Sequence, residues 1–147
     1  MSLKKGFELR QVLNYRLDLE RMRKQDFATA RQDLDRASDK LEQERDGVAT
    51  LSKDFVERQS QLNSVVELQL YTDFFARKRE EIKTQQERVV ALDRVLEDRR
   101  EELVQATQDK KVLEALKEKK EHAFRQEQQR KERDFLDEMA VQKKGRE

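Results

Sequence analysis

Few residues in this chain could do chemistry, and their spacing argues against it. His122 is the only histidine, set in a charged run beside Glu121. A lone imidazole there reads as a surface side chain rather than a ligand or base. Asp137 and Glu138 form the nearest thing to a carboxylate dyad, but adjacent residues of a helix point in different directions. There is no cysteine, so neither a disulfide framework nor a thiolate metal site is available. Three glycines cannot build a GxxxxGK or GxGxxG phosphate loop. The basic runs RKER at 130–133 and KKGR at 143–146 have acidic neighbours and fit a solvated helix face better than a nucleic-acid contact. No cofactor, metal or catalytic residue is assigned, and without a cleft to exclude water an enzyme is not expected.

The elements that carry these residues are long helices. Of 147 residues, 44% are charged, 35% are hydrophobic and none is proline. Material for turns is almost absent, and a bias toward Ala, Glu, Lys, Leu, Arg and Gln marks coiled coils rather than globular domains. Regularly spaced apolar residues separate the chain from a disordered one. Basic and acidic residues nearly balance at 33 and 32, so no overall charge favours nucleic acid or an acidic membrane. Residues 1–24 nevertheless hold seven basic against three acidic side chains, and residues 117–147 ten against eight. The opening MSLKKGFELR has no apolar core of a secretory signal, and no stretch approaches the ~20 apolar residues of a membrane span. A soluble cytoplasmic protein is expected.

From Phe27 the apolar residues recur in alternating steps of three and four. They run through Ala30, Leu34, Ala37, Leu41, Glu44, Val48, Leu51, Phe55 and Arg58 to Leu62, nine of these eleven being apolar. A second series runs from Leu68 through Tyr71, Phe75, Lys78, Ile82, Gln85, Val89, Leu92, Leu96, Arg99, Leu103, Ala106 and Lys110 to Leu113. Each is a sustained heptad repeat, and the two are out of step between Leu62 and Leu68. Ser64 to Glu67 has capping-box spacing, with Ser64 expected to accept from the Glu67 amide, and Asn63 tolerates a left-handed helix end. The predicted fold is therefore all-α: an antiparallel two-helix coiled-coil hairpin with a C-terminal helical overhang. One coiled-coil domain covers residues 1–147, with helix one at about 7–62, the turn at about 62–65 and helix two at about 65–141. Heptad phase permits paired residue numbers summing to 119, 126 or 133; the middle register, with the turn centred on Asn63, is the one taken, and it pairs Ala30 with Leu96, Leu34 with Leu92, Ala37 with Val89, Leu51 with Phe75 and Phe55 with Tyr71. The alternative is one straight helix with a heptad deletion, dimerising in parallel as a structural tether.

Some apolar residues fall off this seam. Between Leu13 and Phe27 the core positions are Arg16, Glu20 and Arg23, a poor core, while Leu17, Leu19 and Met22 lie beside it. A local register shift bringing Leu17 and Leu116 together would repair this. Phe74 sits next to the seam residue Phe75. Val112, Leu116, Phe124, Phe135, Leu136 and Met139 have no hairpin partner, and exposed apolar stripes on a helix usually dock another protein.

Three segments resemble one family. FELRQVLNYR is similar to the usual start of the flagellar export protein FliJ, SVVELQLYTDFF to the beginning of its second helix, and KKVLEALKEKKEHAFRQEQQRKERDFLDEMAVQ to its C-terminal helix. The correspondence covers nearly all of the chain. It implies a non-catalytic stalk and adaptor of the type III export apparatus, similar to the stalk subunit of rotary ATPases. The partners implied are the export ATPase hexamer (FliI-type), the export gate protein (FlhA-type) and export chaperones, with no nucleic acid. The resemblance places gate contact near Phe74, and ATPase contact at the open end on residues 7–24, including Phe7, and on the C-terminal helix. Related injectisome proteins share the architecture. A monomeric hairpin when free, associated only peripherally with the membrane-embedded gate, is the expected form.

Overall fold

A computed structural model describes residues 2–61 and 64–145, with side chains from Glu8 onward. Two long α-helices pack against each other, and the described residues include no strand. Helix α1 spans Ser2–Arg58 and leads into a short 3₁₀ turn at Gln59–Gln61; α2 spans Val65–Gly145. The predicted reversal at Leu62 and Asn63 lies outside the described residues. Ser64 caps α2 from its N-terminal side. Its Oγ accepts from the Val66 amide at 3.1 Å, and its carbonyl accepts from the Leu68 amide at 3.3 Å. The cap expected at Glu67 is thus made one residue earlier, because an N-cap oxygen can reach either the second or the third helical amide. Glu67 still adds negative charge to the first turn, and Lys143 and Lys144 add positive charge to the last, matching the helix dipole at both ends.

The chain divides into two compact units, Met22–Leu103 and Met1–Arg21 with Val104–Glu147. In Met22–Leu103 the buried residues are Ala30, Ala37, Leu41, Leu96 and Gln85. Phe55 meets Tyr71 with ring centroids 5.1 Å apart and Phe75 edge-on at 6.0 Å. Phe55 against Tyr71 is the pairing expected of the register centred on Asn63. The buried Gln85 lies in the core layer of Leu41, and its Nε2 donates to the Ala37 carbonyl at 3.1 Å. A polar residue at a core position is thereby satisfied by the facing backbone. No large side chain among those described is fully enclosed, as a seam one layer wide requires.

In the other unit the seam keeps its heptad positions but changes chemistry. Leu13 and Ala106 are buried, and so is Glu20, at 6% exposure. Lys110 Nζ lies 2.9 Å from Glu20 Oε2, and Arg16 Nη1 lies 3.3 Å from Asp109 Oδ2. The core positions that read as poor core hold ion pairs across the helices. No register shift joins Leu17 to Leu116: with this register kept, they fall on opposite flanks of the seam, and Leu116 is 40% exposed. Beyond Lys117 every described residue of α2 is exposed.

Candidate partner-binding surfaces

Two separate surfaces carry the predicted site residues. In Met22–Leu103, the start of α2 faces the end of α1 across a groove of about 630 Å³ lined by Leu51, Arg58, Gln61, Glu67, Leu70, Tyr71 and Phe74. Phe74 is half-buried, and its ring lies 5.7 Å from both the Arg77 guanidinium and the Lys78 ammonium. Such contacts fix the ring and rim it with positive charge. Lys78 in turn bonds Glu81 at 2.9 Å, which holds the Glu81 carboxyl below its ordinary value, first through that hydrogen bond and then through the lysine's charge. Val65, Val66, Leu68 and Leu70 are exposed close by in sequence.

The second surface belongs to the other unit. Phe124, Phe135, Leu136 and Met139 are all more than half exposed, as is Val141. The helix beneath them gains only exposed side-chain pairs, such as Arg130 to Glu127 at 2.8 Å, each a minor support. Of the α1 residues expected near this end, Leu17 and Leu19 are half-buried against the seam. Met22, within Met22–Leu103, is 59% exposed. The side chain of Phe7 lies outside what the structure describes. Val12 and Tyr15 are exposed and escaped the sequence reading. Their spacing with Leu19 and Met22, three then four then three, was the signal that could have found them.

Among the described residues no group of His, Cys, Asp and Glu could hold a metal ion, and no helix is long and apolar enough to cross a membrane. His122, Asp137 and Glu138 are all exposed. What the described residues define is a two-helix coiled coil with exposed apolar residues along it. The chain belongs to the flagellar FliJ family: the family model described as Flagellar FliJ protein matches residues 4–147. It is accordingly a non-catalytic, flagellar export-associated protein. Comparison with curated proteins and with solved structures gives no match.

Proposed function

We propose that this chain is a stalk and adaptor of the flagellar export apparatus that touches the export ATPase ring through the C-terminal part of α2. The supporting observation is the run of exposed residues beyond Lys117, which holds Phe124, Phe135, Leu136 and Met139, each more than half exposed. Burying these four side chains would supply roughly 5–10 kcal/mol before association costs are subtracted. The basic excess of residues 1–24 adds encounter rate and orientation more than affinity, and its part fades with salt. The gate protein would engage the groove beside Phe74, and chaperones the remaining exposed faces. The protein would act as a monomeric hairpin on the cytoplasmic side of the membrane, held there by the gate alone.

The test is the hydrolysis rate of the cognate export ATPase against added protein. The full chain should stimulate hydrolysis or ring assembly. A chain ending at Lys120 should stay helical by circular dichroism and lose most of the stimulation. Full stimulation by that truncation would move the contact to residues 7–24 or to the shaft.

A further inference from the structure

The two compact units are unequal in what holds their helices together. In the register that pairs Phe55 with Tyr71, the core positions of the Met1–Arg21 with Val104–Glu147 unit oppose Leu9 to Lys117, Leu13 to Leu113, Arg16 to Lys110 and Glu20 to Ala106. Of these layers, Leu13 with Leu113 alone is apolar on both sides. In Met22–Leu103 the same register opposes Ala30 to Leu96, Leu34 to Leu92, Ala37 to Val89, Leu51 to Phe75 and Phe55 to Tyr71, every one apolar on both sides. What joins the helices of the first unit beyond Leu13 is therefore largely ionic. Glu20 and Lys110 lie 2.9 Å apart with their side chains 8% and 18% exposed. Arg16 and Asp109 lie 3.3 Å apart, each about a third exposed. When such pairs part, their charges return to water, and the hydration regained offsets most of the attraction lost. The outer pair, already wet, holds weakly even when closed. An apolar layer has no such return, because parting it puts hydrocarbon into water.

We propose that residues 8–21 of α1 form a releasable arm, latched to α2 by Arg16 and Glu20, which opens by itself while the helices of Met22–Leu103 stay paired. Local opening draws on the least stable part of a fold, and here that part is the ionic stretch of the seam. Closed, the arm covers Ala106, which is buried, and Leu113, which is half-buried. Open, it bares both on a helix where Val112 and Leu116 are already exposed. The apolar surface that α2 presents in this unit is then set by an equilibrium rather than fixed. The inference uses no residue of the overhang beyond Lys117, so it stands apart from the ATPase contact.

The test exploits a chain without cysteine and two core alanines of matched burial, Ala106 at 4% and Ala37 at 5% exposure. Ala106→Cys and Ala37→Cys are made in separate full-length chains, circular dichroism confirms that both remain helical, and a maleimide reads access to each thiol. Ala106→Cys should react at least about ten-fold faster, because local opening reaches it and spares Ala37. Amide hydrogen exchange on the unsubstituted chain gives a second reading. A released arm loses the packing that sustains most helical stability, so amides 13–20 should exchange faster than amides 30–41. Combining Glu20→Leu with Lys110→Leu replaces the latch by an apolar pair. It should slow exchange at 13–19 by about ten-fold or more and leave 30–41 unchanged. Equal labelling of the two thiols, equal protection of the two stretches, or exchange at 13–19 indifferent to the double substitution would each overturn the proposal.

Discussion

The seam inside Met22–Leu103 and the seam inside the other unit follow one heptad rule with opposite chemistry. Around Ala30, Ala37 and Leu96 the layers are apolar, small against large, the layer of Leu41 holds the buried amide of Gln85, and the aromatic cluster of Phe55, Tyr71 and Phe75 closes one end. Around Glu20 the layers are ionic, with Lys110 and Asp109 supplied by α2 and Arg16 by α1. A wide core could not hold such charges without a large desolvation penalty. A seam one residue wide can, because a lysine stem lies along the groove while its ammonium stays near water. The difference teaches that heptad position fixes where the helices touch, while the residue type decides how firmly. Where the seam turns ionic, the apolar residues Val12 and Tyr15 stand exposed beside it.

The comparison can be broken most forcefully at Leu41. Leu41→Asp buries a carboxylate against a layer whose one polar group, Gln85, already donates to Ala37. It should cost about 3–4 kcal/mol, read as a lower urea midpoint. An unmoved midpoint would mean that this seam is not the core.

The ionic seam sharpens the contrast by a smaller effect that a second substitution should cancel or reverse. Glu20→Leu alone should lower the melting midpoint, because it leaves Lys110 beside an apolar group. Combined with Lys110→Leu it should match or exceed the native midpoint, since well-packed apolar pairs commonly replace ionic ones without loss. The hydrogen bond from Lys110 to Glu20 raises the lysine above its ordinary 10.5. A group raised on folding stabilises fully below its unfolded value and loses that contribution as pH climbs through its folded one. The native pair should therefore hold through neutral pH and weaken only above 10.5, whereas the Leu pair should show no such decline. A decline of equal size in both would remove Lys110 as its source.

The smallest expected change is at Gly47, exposed on α1, where an added Cβ meets nothing within 4 Å. Gly47→Ala should stabilise by about 0.5–1 kcal/mol through helix propensity alone. No gain would indicate that the apolar seam already saturates the stability of α1 at that position.

The heptads made most of the architecture legible before any coordinates. A period of three and four is a geometric signal; the phase slip between Leu62 and Leu68 left three registers open, and centring the turn on Asn63 selected the one that pairs Phe55 with Tyr71. The cap at Ser64 was visible as a residue type, though not the amide it would choose, since Val66 and Glu67 are both within reach of the hydroxyl. Arg16 and Glu20 were harder. A pattern that scores apolarity counts each as a defect, and the cross-helix partners Asp109 and Lys110 lie far away in sequence. The overhang residues Phe124, Phe135, Leu136 and Met139 stood out because the hairpin register gives them no facing residue on α1. Val12 and Tyr15 did not, because a stripe one residue off the seam looks like noise until the seam itself turns ionic.

The aromatic cluster of Met22–Leu103 also sets an order of assembly. Among the cross-helix contacts described above for that unit, Phe55 with Tyr71 encloses the least chain. Gln85 and Ala37 are 48 residues apart, and Arg23 and Glu102 are 79 apart. Loop-closure entropy rises with the length enclosed, so the first contact to form at low cost is the aromatic one. Each later layer then closes against helices already held together, adding a few residues of new loop rather than dozens. Within this unit the helices join like a zipper drawn from the Phe55 end. On that route the unit should fold fast despite the span of its most distant contacts, and substitutions at Phe55, Tyr71 and Phe75 should slow folding rather than hasten unfolding, as stopped-flow rates would read.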